Sequence, residues 1–316
     1  MKLPVRVGII EIGSRSLRLL IAEVAAPPHF HVLTTDSKES RLAQTEDLDE
    51  IEESLSRIAA ICQKWMGRCV EMGVMNPCLF GTEGLRRLPA ESVQDLAAEL
   101  PGLRVLNADE EAVCSLLAAG YGLPVAEQNG TIVVIDQGGA SLEVAVGEYV
   151  DGKLRLKSSK SLPLGTQPLV AMLQEAGGSL GKLKKKLAAE IELGDLKSGL
   201  GKARVIIQGS AATKLAWMSV RQQADERYDP RRVQGVRAPA KWIDGLTATA
   251  QSDPDRVRRA VDPKNPAGSE YETVMAGLVA LRVLLEELGA ADFSVGSLGT
   301  RHGMAWMLAG LGGRAA

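Results

Sequence analysis

The chain has 316 residues and a formal net charge of -2. That length suits two ordinary domains with a sizeable core, and the charge argues against a surface dominated by nucleic-acid binding. Aromatic residues make up only 3% of the chain, too few for base-stacking platforms.

The N-terminus opens on an apolar run at residues 5–12, bounded by Gly13 and read as a buried strand. Two more strands are predicted at Leu17 to Val24 and His29 to Thr35, split by Pro27-Pro28. Leu48, Ile51, Leu55, Ile58, Cys62 and Trp65 then recur every three or four residues and predict a helix with one apolar stripe. Its first turns carry Asp47, Asp49, Glu50, Glu52 and Glu53, where the helix dipole favours anions. A short strand at Pro77 to Gly81, a helix near Glu91 to Leu100 and a strand at Leu103 to Leu106 follow. A second helix opens on the acidic run Asp109-Glu110-Glu111 and closes near Gly120. Residues 123–130 read as a linker, so one domain is expected over 1–124 and another over 125–316.

The pattern then restarts. Strands are predicted at 131–136, 142–150 and 153–162, and Asp151-Gly152 between the last two is a strong hairpin signal. Residues 177–201 are rich in Gly and Lys, with Lys182, Lys184, Lys185 and Lys186 close together. They form either a solvated helix face or a phosphate-attracting patch. A strand at Ala203 to Ile207 leads into Gly209-Ser210-Ala211-Ala212-Thr213 and a helix. The stretch 220–268 reads as short helices and loops, and a long helix over Tyr271 to Leu288 buries Val274, Leu278, Leu281, Leu284, Leu285 and Leu288. A last strand at Phe293 to Gly296 precedes a helix starting near Arg301.

One segment occurs twice, about 125 residues apart. Glu11-Ile12-Gly13-Ser14-Arg15-Ser16-Leu17 and Asp136-Gln137-Gly138-Gly139-Ala140-Ser141-Leu142 each follow an apolar run. Each places a carboxylate, a Gly, a small residue and a Ser before the next strand. Glycine lets backbone N–H groups approach anionic oxygens closely, and two carboxylate-bearing glycine turns can hold a phosphate chain and its metal ion. Gly209 opens a third such turn and Gly299 a fourth. Asp136, at a strand end, and Glu143, on the next strand, are the candidate Mg²⁺ carboxylates, although Glu143 reads equally well as an exposed strand residue. Glu111 taken alone reads as a helix-capping acid.

The remaining features exclude more than they assign. Cys62, Cys69, Cys78 and Cys114 show no C-x-x-C spacing, and there are three histidines, so a zinc site is not expected and the cysteines read as buried thiols. No apolar stretch reaches the roughly 18–20 residues of a membrane span. No charged region is followed by an apolar signal core, so the expected location is the cytoplasm.

These blocks resemble the exopolyphosphatase / guanosine pentaphosphate phosphohydrolase (Ppx/GppA) family of the actin–Hsp70–sugar kinase superfamily. The resemblance rests on Glu11-Ile-Gly-Ser-Arg-Ser16, Gly81-Thr-Glu-Gly-Leu-Arg86, Ala108-Asp-Glu-Glu-Ala112, Asp136-Gln-Gly-Gly-Ala-Ser-Leu-Glu143, Leu162-Pro-Leu-Gly165, Gly209 to Thr213 and Gly299-Thr-Arg-His-Gly303. It implies an α/β fold of two RNase H-like (actin-like ATPase) lobes with an inter-lobe cleft. It implies Glu111 as the base that activates water, with Asp136 and Glu143 orienting that water or holding Mg²⁺, joined as metal ligand by Glu11. Phosphate contacts are implied for Gly13, Ser14, Arg15, Ser16, Arg86, Gly138, Gly139, Ser141, Gly209 and Ser210. The implied reaction is release of terminal phosphate from inorganic polyphosphate, with guanosine pentaphosphate as second substrate and guanosine tetraphosphate as a further ligand. Relatives are commonly dimeric.

The chain departs from the family pattern at several positions. Glu11 stands where the family has Asp, and Arg15 stands where it has a neutral Asn and would either bind phosphate or close the pocket. Ala140 replaces a Gly and would strain the turn if positive φ were required there. Leu142, Ala212 and His302 are further substitutions. They leave two alternatives open, a phosphate- or alarmone-binding regulatory protein with weakened catalysis and a phosphotransferase of the same superfamily.

Overall fold

The computed structural model describes residues 4–40, 42, 47–197, 200 and 203–310. In chain order the first part contains β1 (Val5–Ile12), β2 (Ser16–Val24), β3 (Phe30–Glu39), α1 (Leu48–Glu71), β4 (Cys78–Gly81), α2 (Glu83–Arg86), α3 (Ala90–Glu99), β5 (Arg104–Val105) and α4 (Ala108–Tyr121). The second contains β6 (Thr131–Gln137), β7 (Leu142–Val150), β8 (Lys153–Leu162), α5 (Thr166–Glu175), α6 (Leu180–Glu190), β9 (Arg204–Gly209), α7 (Ser210–Val220) and α8 (Pro230–Val233). It continues through β10 (Arg237–Pro239), α9 (Lys241–Ser252), α10 (Pro254–Val261), α11 (Glu270–Glu287), β11 (Asp292–Val295) and α12 (Thr300–Leu308).

The sequence repeat is a structural repeat. The first sheet runs β3-β2-β1-β4-β5 and the second β10-β11-β9-β6-β7-β8. Read from β8, the second sheet has the order of the first, with β10 added at the far edge. In both, three strands form an antiparallel meander and the next strand adds in parallel beside the first, β4 beside β1 and β9 beside β6. This is the RNase H-like strand order expected for an α/β chain of two lobes. Parallel addition requires a crossover long enough for a helix, which α1 supplies in the first sheet.

By Cα proximity the chain divides into two units. One holds the chain up to Asn129, the hairpin tip Tyr149–Leu156 and the chain from Thr300; the other holds Gly130–Glu148 and Lys157–Gly299. The sequence predicts a single boundary after residue 124. The division instead makes the first unit discontinuous, because α12 packs on α4 and β1. Gly303 makes that packing close, since a Cβ there would lie 1.8 Å from the Cys114 carbonyl oxygen. Phe30, His302, Tyr121 and Trp306 fill the same region, with Phe30–Trp306 ring centroids 5.0 Å apart.

On the other face of the first sheet, α1 buries Ile51, Leu55, Ile58, Cys62 and Trp65, as its spacing predicts. Asp47 caps the helix by accepting from the Asp49 and Glu50 N–H groups. In the second unit α11 is buried around nearly its whole circumference from Thr273 to Leu285, well beyond the predicted stripe. Fully burying each large aliphatic side chain contributes about 1.5–3 kcal/mol. The Asp151-Gly152 turn has positive φ at both residues, +52° and +71°, as a type I′ hairpin turn requires. Strand β10 and helix α5 carry no sequence signal that separates them from loop. Among the described residues, no helix is long and apolar enough to cross a membrane.

Candidate active site

The two glycine turns close in the same way. Gly13 N–H donates to the Ser16 carbonyl at 3.0 Å, and Gly138 N–H donates to the Ser141 carbonyl at 3.0 Å. Each turn is backed by a glycine from elsewhere in its own unit. A Cβ on Gly84 would lie 2.6 Å from Ser14 Cα, and one on Gly165 would lie 2.4 Å from the Ala140 carbonyl carbon. The Leu162-Pro-Leu-Gly165 segment is thus the strap of the second turn. It is fastened by Gly165, Thr166 and Gln167 N–H groups donating to Ala140, Gly138 and Gly139 carbonyls. Ala140 is buried, and among the described non-glycine residues only Asp151 has positive φ, so Ala140 carries no left-handed strain. The third turn differs. Gly209 has φ +110° and abuts the Gln137 carbonyl, Ser210 is exposed, and Ala212 lies inside α7 rather than in a loop.

In the first unit, the acidic run at the start of α4 separates into distinct roles. Glu110 closes a capping box, accepting from Asn107 N–H while the Asn107 side chain accepts from Glu110 N–H, and it pairs with Arg104 at 2.8 Å. Glu111, one residue on, faces inward and is 8% exposed. Arg86 donates from Nη2 to Glu111 Oε2 at 3.0 Å, from Nε to Glu83 Oε2 at 2.9 Å and from Nη1 to the Leu106 carbonyl at 2.5 Å. Burial lowers the affinity of that guanidinium for its proton, but Glu111 and Glu83 outweigh it and raise the pKa overall. Glu11 is also buried, at 8% exposure, and its carboxylate lies 3.6 Å from Arg301 Nη1.

In the second unit, Asp136 and Glu143 are directly opposite on β6 and β7 and share one sheet face. Glu143 is 3% exposed and accepts from Ser161 Oγ at 3.0 Å, so it is a buried strand residue and not a solvent-facing one. Among the described residues, no three His, Cys, Asp or Glu side chains converge as a metal cluster. Lys184 and Lys186 of the basic stretch pair with Glu286 and Glu175 at 2.8 and 3.0 Å, as lysines on a solvated helix face do.

Sequence reasoning missed Glu83, which shares Arg86, and Gln208, the parallel neighbour of Asp136 on β9. The available signal for Gln208 was a polar residue closing an apolar strand before a glycine, as Glu11 and Asp136 do.

Solved structures share this fold. An exopolyphosphatase-like protein superposes with a TM-score of 0.76 at 20% identity, covering 97% of this chain and 98% of its own. An exopolyphosphatase from Cytophaga hutchinsonii gives 0.74 at 17% identity, covering 98% and 100%. The Aquifex aeolicus PPX-GPPA enzyme gives 0.73 at 22%, covering 95% and 98%. Among curated proteins none matches. The family model of Ppx/GppA phosphatases matches residues 20–309. The first glycine turn precedes that match, whereas the Arg86, Glu111, Asp136–Glu143, Gly165 and Gly209 blocks lie within it. On that match the chain belongs to the Ppx/GppA phosphatase family.

Proposed function

We propose that the chain is a phosphoanhydride hydrolase that releases terminal phosphate from inorganic polyphosphate, with guanosine pentaphosphate as a second substrate. The observation that carries this reading is the state of Glu111. Among the family blocks, it is a nearly buried carboxylate at a helix start that accepts from the Arg86 guanidinium and is distinct from the neighbouring cap.

Hydrolysis of a phosphoanhydride asks for alignment, charge neutralisation and a positioned base more than for covalent chemistry. Glu111 is assigned to take a proton from the attacking water, and Arg86 to fix the carboxylate that takes it. Asp136 and Glu143 supply hard oxygen donors side by side, a set that fits Mg²⁺ with the rest of its shell from water and phosphate oxygens. A divalent cation held there would neutralise charge on the phosphate oxygens. The backbones of Gly13, Ser14, Gly138 and Gly139 are assigned to phosphate oxygens, with Arg15, Ser16, Ser141, Gly209 and Ser210 as further contacts. Glu11 faces Arg301, which supports a charge-setting role for it as much as a ligand role.

Phosphate release from long-chain polyphosphate and from guanosine pentaphosphate, with Mg²⁺ and with chelator, tests the reading beside Glu111→Gln. Metal-dependent release that the variant loses is the expected result. Release no higher than that of the variant from either substrate would sink the hydrolase. Calorimetry with guanosine tetraphosphate would then test a binding role.

A further inference from the structure

At the end of the second sheet three side chains stand in one row. Asp136 pairs with Glu143 of β7 on one side and with Gln208 of β9 on the other, and residues opposite one another on neighbouring strands share a face. Gly296, just after β11, extends the row. A Cβ there would lie 3.0 Å from Gln208 Cγ and 3.5 Å from Nε2, so the absence of a side chain at 296 makes room for the amide. Gln208 is 1% exposed, and neither Nε2 nor Oε1 has a hydrogen-bond partner among the described residues. A buried amide in that state has lost its hydration with nothing in the protein to offset the loss.

The first unit provides an internal control. Glu11 occupies the position of Asp136 in the repeat, and its parallel partner on β4 is Phe80, which is 0% exposed. The fold therefore accepts a purely apolar side chain at this place. The amide in the second unit has no partner among the described residues that would explain it.

We infer that Gln208 is a positioning residue for the Asp136–Glu143 pair: it holds an ordered water that bridges its amide to the Asp136 carboxylate and orients that carboxylate toward a divalent cation. Neighbouring strands lie about 4.8 Å apart, and two hydrogen bonds of about 2.8 Å span that gap where a direct bond is not made. The water accepts from Gln208 Nε2 and donates to the carboxylate. Such outer-shell partners fix the ligand geometry that a cation requires.

The inference rests on the proposed cation role of the pair, and its test separates the two. Gln208→Met keeps the chain length and removes both polar atoms. Mn²⁺ binding, followed by water-proton relaxation without substrate, should weaken about 10–100-fold in this variant. Its melting temperature should hold or rise, because an apolar group replaces an unsatisfied one. Mn²⁺ binding within about two-fold of the wild type would overturn the inference. Asp136→Asn is the control. If it loses Mn²⁺ while Gln208→Met keeps it, the cation reading stands and the positioning role falls; if it binds as the wild type does, the cation reading itself falls and takes the inference with it. Should Gln208→Met not fold, a high-resolution crystal structure of the wild type decides. Water within hydrogen-bond distance of both Gln208 and Asp136 supports the role, and its absence ends it.

Discussion

Arg86 Nη2 donates to Glu111 Oε2 at 3.0 Å, across 25 positions of sequence, while the same guanidinium binds Glu83 and the Leu106 carbonyl. The family resemblance implies Arg86 as a phosphate contact. In the fold its Nε, Nη1 and Nη2 each donate within its own unit, which places the guanidinium against the Glu111 carboxylate.

Glu111→Gln keeps the size of the side chain and removes its basicity. Turnover on the substrate identified by phosphate release should fall roughly 10²–10⁴-fold, with little change in the Michaelis constant. Steady-state kinetics read this directly. Turnover within a few-fold of the wild type would strip Glu111 of the role.

Arg86→Ala leaves Glu83 and Glu111 without their shared partner. A fully buried broken pair costs about 3–5 kcal/mol, but the Arg86 side chain keeps 20% exposure, so a loss of about 1–3 kcal/mol in urea unfolding is expected. Arg86→Lys should recover part of the stability and little of the turnover, because an ammonium cannot reproduce the fork. Equal recovery of both would refute the fork geometry.

Gly165→Ala drives a methyl into the Ala140 backbone, which lies 2.4–2.5 Å from the new Cβ. The strap must lift off the second glycine turn. Overpacking of this kind costs about 1–3 kcal/mol, and the Michaelis constant should rise with it. Gly181→Ala is the matched control, since a Cβ there would meet no described residue within 4 Å apart from its own helix and chain neighbours. Thermal melts and kinetics of the two variants should diverge, and equal behaviour would argue against the strap.

Glu83 makes stability depend on acid pH. Burial raises its pKa, but hydrogen bonds from Arg87 and Arg86 outweigh burial and leave the carboxyl below its ordinary value. The folded pKa is therefore depressed relative to the unfolded value of about 4.3. The contribution is present above that value and is lost as pH falls through the folded pKa. Urea midpoints against pH should show a shallower acid loss for Glu83→Gln than for the wild type.

The thiols should be inert in the native state. Burial pushes Cys62 up to about 12 and Cys69 up to about 11, and it raises Cys114 and Cys78 as well. The thiolate is the reactive form, so labelling at pH 8 without denaturant should be slow at Cys62, Cys69 and Cys114, with partly exposed Cys78 fastest. Rapid native labelling of Cys114 would show that α12 does not stay on α4.

Much of the fold was legible because its signals are local. The apolar runs of β1 and β6, the stripe of α1 and the Asp-Gly turn each require only neighbours in sequence. The three residues of β10 and the helix α5 were not legible, since a short edge strand and a strap helix carry too few periodic residues. The burial of α11 on nearly all sides also escaped, because a helix stripe predicts one packed face and not a second.

By itself, the sequence determined the doubled carboxylate-glycine turn, the family blocks and the presence of Glu111, Asp136 and Glu143. A turn is set by a few adjacent dihedrals, so composition at that place suffices. Only tertiary structure decided that Glu110 caps while Glu111 turns inward to Arg86, that α12 returns to the first unit, and that an amide lies buried beside Asp136 where Phe80 lies beside Glu11. Those outcomes depend on which strands pair and which helices cross. Burial and charge pairing follow from such distant contacts and not from spacing along the chain.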